Sequence, residues 1–168
     1  SYLLTNYSAV RQQCEQNVRE YYKKSVLLRN DDHFEIQFKE IFDHMAALYG
    51  LDDMQKDQLM QWEIEGELEA GIPLVPQISL LKKYIAEGND IVLISDMYLP
   101  KEVIVKLLQK ADPLLATLPL YVSSEVGHQK TTRKLFLHVY SDLDYCYEKW
   151  IHIGDNRFAD QVQPEMLG

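Results

Sequence analysis

IVLISDMYLP, residues 91–100, is the stretch from which the fold prediction starts. The apolar run Ile91–Ile94 ends abruptly at Ser95 and Asp96. A short apolar run bounded by turn residues is typical of a strand buried on both faces. Pro100 then stands where a helix can begin, since its missing N–H costs nothing in the first helical turn. The stretch predicts strand, turn and helix, with polar side chains at the carboxyl end of the strand, where open α/β sheets bind ligands.

Strands and helices alternate from Asn89 onward. Apolar runs predict strands over 90–95, 119–123 and 149–154, and helical spacing predicts helices over 101–110 and 128–140. The earlier part is helical by pattern, with helices predicted over 8–24, 32–49, 52–70 and 77–87. Strands separated by helices indicate parallel βαβ units with right-handed crossovers. We therefore expect a helical region over 1–75 and an α/β region over 76–168.

Composition and charge argue against several classes of function. The chain has 168 residues, 46% hydrophobic content and a net charge of −9. That charge should repel nucleic acid and anionic membranes, and no apolar run is long enough to cross a bilayer. The two cysteines, Cys14 and Cys146, form no metal-binding spacing and indicate a reducing compartment. We therefore expect a cytoplasmic protein with no nucleic-acid or membrane partner.

Polar side chains follow all three predicted strands. Ser95 and Asp96 follow the first, Lys130 comes after the second, and Asp155 with Asp160 comes after the third. Because the carboxyl ends of parallel strands meet at one edge of a sheet, we expect these side chains to gather there. A hydroxyl and a lysine suit phosphoryl oxygens, and carboxylates suit Mg²⁺. The pattern favours phosphoryl chemistry.

These residues belong to three motifs: ISDMYLP (94–100), YVSSEVGHQK (121–130) and HIGDNRFAD (152–160). In this order the motifs resemble the last three of the four signature motifs of haloacid dehalogenase-like (HAD) hydrolases with a helical cap. The resemblance spans about residues 78–168. It implies an α/β fold, a Rossmann-like three-layer parallel-sheet HAD core, with an N-terminal all-helical cap region. It also implies hydrolysis of a phosphate monoester through an aspartyl-phosphate, a Mg²⁺ cofactor and a small phosphorylated substrate.

The resemblance assigns a role to each residue at the strand ends. Ser95 would contact the phosphoryl group, and Lys130 would steady the nucleophile and the transferred phosphoryl, so both are catalytic candidates. Ser95, Asp96 and Lys130 together would bind the substrate. Asp155 and Asp160 would bind or orient Mg²⁺. Without the resemblance, Asp96 is better interpreted as a residue that shapes the turn.

The first motif of the family, a strand ending in two aspartates two residues apart, has no counterpart here. No aspartate precedes Asp31. The chain begins at Ser1 without a methionine, and both ends look cut, so we expect a missing upstream segment. The phosphatase would then be inactive as this chain and active when extended upstream. The alternative is a non-catalytic binding or regulatory module attached to further domains, and a receiver domain is a weaker third hypothesis.

Other polar residues near the motifs have structural interpretations. Arg133 either adds positive charge near Lys130 or is a solvated arginine. His152 is expected to be a satisfied structural histidine, because it alternates with apolar neighbours in a predicted strand. Ser123 and Ser124 are expected to form loop hydrogen bonds.

Overall fold

The structure is a computed structural model that describes residues 2–29 and 35–168. Its α-helices are α1 (Tyr2–Thr5), α2 (Tyr7–Arg29), α3 (Phe38–Tyr49), α4 (Asp53–Ala70), α5 (Val75–Ala86), α6 (Lys101–Ala111), α7 (Ser123–Val126), α8 (Lys134–Asp142) and α9 (Gln163–Glu165). Its strands are β1 (Leu93–Ser95) and β2 (Leu120–Val122). Short 3₁₀ turns lie at Leu115–Thr117 and Lys130–Thr132, and a π-helical turn spans Arg157–Val162.

The two strands pair in parallel, as the sequence predicted for the first two strands. Leu93 lies opposite Leu120 and Ser95 opposite Val122. The connection between β1 and β2 runs through α6, which confirms the predicted strand–helix–strand order. Both strands are shorter than the predicted ranges 90–95 and 119–123.

The prediction of a Rossmann-like three-layer parallel sheet is wrong. Helices hold 66% of the chain, while the two strands hold 4% and form the one sheet of the described ranges. Residues 149–154, predicted as the third strand, have no regular secondary structure. A strand needs a neighbour for its main-chain hydrogen bonds, and no described segment pairs with these residues. Ile151 and Ile153 are therefore 68% and 60% exposed, although their apolar pattern suggested burial.

The helices agree better with the sequence than the strands do. Helices predicted over 52–70, 77–87 and 101–110 are present with small differences at their ends, and the helix predicted over 8–24 continues to Arg29. The helix predicted over 32–49 begins at Phe38, where Gln37 and Glu40 form a capping box; positions 32–34 lie outside the described residues. The helix predicted over 128–140 begins at Lys134, because Arg133 has a left-handed backbone that interrupts it.

The hydrophobic core lies around α3. Phe38, Ile41, Phe42 and Met45 turn one face of this helix into the interior, and each is at most 1% exposed. The same cluster contains Leu99, from the loop after β1, so residues of both predicted regions pack together. The division at residue 75 stays a prediction. Across the described ranges, no helix combines the length and the apolar character needed to cross a bilayer.

Candidate functional site

Asp160 is the centre of a buried cluster of polar groups. Its Oδ1 atom lies 2.5 Å from Lys130 Nζ and 2.9 Å from His152 Nε2, and its Oδ2 atom accepts from the Asn156 N–H at 3.0 Å. Asp160 is 3% exposed. Burial alone would raise its pKa, but the hydrogen bonds from Lys130, His152 and Asn156 outweigh burial and lower the pKa of Asp160 to about 2. The carboxylate is therefore ionised at neutral pH.

The motif Gly154–Asp160 folds around this carboxylate. A Cβ atom on Gly154 would lie 2.3 Å from Cγ of Asp160, so only glycine fits there. Asn156 caps the π-helical turn, because its Oδ1 atom accepts from the N–H groups of Phe158 and Ala159 at 3.1 and 3.0 Å. The backbone N–H of Asp160 donates to the Asn156 carbonyl at 2.7 Å. These local bonds hold the side chain of Asp160 toward Lys130.

Asp96 fixes the backbone of Lys130. The Lys130 N–H donates to both carboxylate oxygens of Asp96, at 2.9 and 3.0 Å. Burial raises the pKa of Asp96, although the Lys130 N–H and the charge of Lys130 oppose that effect. Asp96 therefore joins the end of β1 to the 3₁₀ turn at Lys130–Thr132, 34 positions further along the chain, while its role in shaping its own turn stays a prediction.

Ser123 and Ser124 hold the same loop from the other side. The Ser123 Oγ atom accepts from the Met97 N–H at 2.8 Å, and the Ser124 hydroxyl donates to the Leu99 carbonyl at 3.1 Å. Both serines are buried. The prediction that they form loop hydrogen bonds is confirmed.

The structure groups some of the predicted site residues and separates others. Asp96, Lys130 and Asp160 are joined by hydrogen bonds. Ser95 directly precedes Asp96 at the end of β1, and its hydroxyl has no hydrogen-bond partner within the described ranges. Asp155 is exposed, and its carboxylate makes no hydrogen bond or ion pair with any described residue. Its predicted role in metal binding has no support from its surroundings.

The residues present do not fit a magnesium ion in this arrangement. Among residues 2–29 and 35–168, no group of three His, Cys, Asp or Glu side chains could hold a metal. Oδ1 of Asp160 already accepts from Lys130 and His152, and Oδ2 accepts from the Asn156 N–H, so this carboxylate has little capacity left for a cation. The assignment of Asp155 and Asp160 as magnesium ligands stays a prediction.

Two residues near the site were not predicted to belong to it. Glu35 is 2% exposed; its Oε1 atom lies 3.2 Å from Nη1 of Arg19, and its Oε2 atom accepts from Nε2 of Gln129 at 3.3 Å. It therefore ties α2 to the residue before Lys130. Gln129 is 94 positions away along the chain, too far for any periodic pattern to relate the two. His152 is satisfied as predicted, but its partner is the central carboxylate, Asp160.

No family model matches this chain, and no curated protein matches it either. Its function is therefore inferred from the three motifs and from the contacts around Lys130 and Asp160.

Proposed function

We propose that this chain binds the phosphoryl group of a small phosphorylated substrate at Lys130, as part of a HAD-like phosphohydrolase site. The observation that carries the proposal is the double anchoring of Lys130. Its ammonium lies 2.5 Å from Asp160, and its backbone N–H is held by Asp96. A lysine held at both ends presents its charge at a defined point, which is the requirement for binding a phosphoryl oxygen.

Hydrogen-bond donors remain available beside this anchor. An ammonium has three N–H donors, and among the described residues the Lys130 ammonium uses one, on Asp160. The hydroxyl of Ser95, which directly precedes Asp96 at the end of β1, is a further donor with no hydrogen-bond partner among the described residues. Asp160 holds one ammonium N–H, and the remaining donors suit the oxygens of a phosphate monoester.

In the family that the motifs resemble, an aspartate attacks phosphorus and an aspartyl-phosphate is then hydrolysed. Here Lys130 would stabilise negative charge on the phosphoryl group, and Ser95 would donate to one of its oxygens. Asp96 and Asp160 have their carboxylate oxygens engaged by Lys130, His152 and Asn156. Neither belongs to the paired-aspartate motif that supplies the nucleophile of that family, and that motif has no counterpart in this sequence, so we expect this chain to bind phosphate without turnover.

Calorimetric titration with inorganic phosphate tests the proposal. Lys130→Met should weaken phosphate binding by about tenfold or more, since one charge-assisted hydrogen bond contributes on the order of 1.5–3 kcal/mol. Lys106→Met is the matched control, because Lys106 is an exposed lysine of α6 with no charged partner among the described residues. Equal phosphate affinity of the wild type and the Lys130→Met variant would refute the proposal.

A second assay addresses turnover. The chain is incubated with an aryl phosphate and Mg²⁺, and release of the phenol is followed by absorbance. We expect no release above that of the Lys130→Met variant. Robust hydrolysis by the wild-type chain would show that it contains its own nucleophile, and the expectation of binding without turnover would then be wrong.

A further inference from the structure

The backbone of Arg133 is strained in a way that a glycine would avoid. Arg133 has a φ of 65°, in the left-handed region that costs an L-residue free energy. Its N–H donates to the Lys130 carbonyl at 2.8 Å and closes the 3₁₀ turn that carries Lys130. The turn needs this conformation, but it does not need an arginine side chain. A strained position occupied by a long charged residue is a reason to look for a function of that side chain.

The guanidinium of Arg133 has little compensation for its charge. Its Nη1 atom lies 3.5 Å from Sδ of Met166, and a thioether is a weak acceptor. Within the described ranges it forms no ion pair with a carboxylate. A guanidinium has five N–H donors in a planar fork, so most of them remain available to an anion.

Lys130 and Arg133 reach the same C-terminal segment. Lys130 contacts Asp160, in the π-helical turn, and Arg133 contacts Met166, shortly beyond that turn. Two cations three positions apart are therefore held over one short stretch of chain, in a protein whose net charge is −9. Such a pair suits a ligand with two neighbouring anionic groups, one for the ammonium and one for the guanidinium fork.

We propose that Arg133 is a specificity-determining residue that binds the second phosphoryl group of a diphosphate substrate. This inference rests on the proposed binding of the first phosphoryl group at Lys130. Arg133 thereby distinguishes diphosphates from simple monoesters, which contact Lys130 and Ser95 but not Arg133.

The test compares inorganic pyrophosphate with orthophosphate by calorimetry, without divalent metal. Arg133→Gln keeps a side chain on the left-handed backbone but removes the charge. It should weaken pyrophosphate binding by about tenfold or more and change orthophosphate binding by less than about twofold. Arg133→Lys keeps the charge without the fork and should recover part of the loss. An unchanged ratio of the two affinities in the Arg133→Gln variant would overturn the inference.

Two further variants separate this inference from the proposed function. Arg133→Gly removes both the charge and the strain, so it should lose pyrophosphate affinity while raising the Tm by about 3 °C. A variant that binds less tightly while melting higher cannot owe its loss of affinity to unfolding. If Lys130→Met leaves orthophosphate binding unchanged, the proposed function fails. If orthophosphate depends on Lys130 but pyrophosphate does not depend on Arg133, the present inference alone fails.

Discussion

Both carboxylate oxygens of Asp96 accept the single backbone N–H of Lys130, at 2.9 and 3.0 Å. The side chain at the end of β1 thus sets the position of the residue proposed to bind phosphate. Asp96 is itself a substrate-binding candidate of the sequence motif, yet its oxygens face the protein backbone. It acts through Lys130 and is a positioning residue.

Two replacements of Asp96 should distinguish the contribution of its hydrogen bond to stability from the contribution of its charge. Burial raises the pKa of Asp96 in the folded state, so its ionisation lowers the free energy of unfolding as pH rises from ~4 through the folded pKa. Asp96→Asn keeps an acceptor for the Lys130 N–H and removes that charge, so it should be at least as stable as the wild type at pH 7. Asp96→Ala should lose about 1–2 kcal/mol, because the N–H loses its acceptor.

Urea unfolding at pH 7 measures both Asp96 variants. Asp155→Asn is the matched control, because Asp155 is exposed and has no partner among the described residues. This substitution should change the free energy of unfolding by no more than about 0.5 kcal/mol. If Asp96→Asn is as unstable as Asp96→Ala, an acceptor for the Lys130 N–H is not enough to keep the stability of the wild type, and this prediction is wrong.

Asp160 should have the opposite dependence on pH. Its pKa is lowered to about 2 in the folded state, so the stability it contributes is present above ~4 and is lost as pH falls from ~4 toward 2. The contribution at neutral pH is about 2 kcal/mol. The difference in unfolding free energy between wild type and Asp160→Asn should therefore shrink by about 1 kcal/mol per pH unit below ~4.

Denaturant unfolding of this pair at intervals from pH 6 to pH 3 gives the measurement. Other carboxylates titrate in the same range, but the effects of those that do not interact with Asp160 cancel in the difference between the two proteins. A difference that stays constant over the whole range would show that Asp160 is not held ionised by Lys130 and His152.

Replacing Gly154 and Gly66 with alanine should change the stability of the fold in opposite directions. A Cβ atom on Gly154 would lie 2.3 Å from the carboxyl group of Asp160, whereas a Cβ atom on Gly66 of α4 would meet no atom within 4 Å. Gly154→Ala should destabilise the fold by about 1–3 kcal/mol and weaken phosphate binding, since Asp160 must move. Gly66→Ala should stabilise it by about 0.5–1 kcal/mol, because alanine favours a helix interior.

Thermal unfolding and phosphate titration of the two alanine variants check this prediction. Gly66→Ala serves as the control for the phosphate measurement, where it should match the wild type. Full phosphate affinity in Gly154→Ala would mean that the position of Asp160 does not govern Lys130.

Arg11 joins α2 to α4 and should be costly to remove. Arg11 is 7% exposed, and its guanidinium lies 4.9 Å from the ring centre of Tyr98. Its Nη2 atom lies 2.7 Å from Glu63, and its Nη1 atom lies 2.9 Å from Glu15. Arg11→Met leaves the carboxylate of Glu63, whose side chain is 13% exposed, with the Tyr7 hydroxyl as a partner but without a cation, so we expect a loss of about 3 kcal/mol. The double variant Arg11→Met with Glu63→Leu should recover most of that loss, because the unpaired charge is then absent.

Urea unfolding of the two single variants and the double variant gives the coupling energy between Arg11 and Glu63. Lys39→Met is the control for removing a cation, because Lys39 pairs with Asp43 at the surface and its side chain is 63% exposed. If the two single changes in the free energy of unfolding simply add up in the double variant, Arg11 and Glu63 do not stabilise the fold as an interacting pair.

The helices were predictable because their signals are local. The apolar stripe of α3 repeats within one helix, and the capping box of Gln37 and Glu40 spans four positions. The start of α8 was not predictable in the same way. The left-handed backbone of Arg133 carries no signal in its own residue type, since glycine is the residue expected there.

The prediction of a third strand over residues 149–154 was wrong for a different reason. The alternation of Ile151, His152 and Ile153 is a genuine strand pattern, but a strand forms only where another segment completes its hydrogen bonds. The described structure offers no such segment beside these residues. The strand propensity of these residues was overridden because no described segment pairs with them, so both isoleucines remain exposed.

By itself the sequence determined most of the longer helices, the strand–helix–strand connection of β1 and β2, and the motif residues Lys130 and Asp160 that meet in space. These follow from patterns that act over a few residues or from the order of segments along the chain. The tertiary structure alone decided that Asp96 binds a backbone N–H, that Asp155 stays apart, and that residues 149–154 form no strand. The physical reason is that a carboxylate or a strand takes the partners that distant segments bring to it, and no local pattern specifies which segments those are.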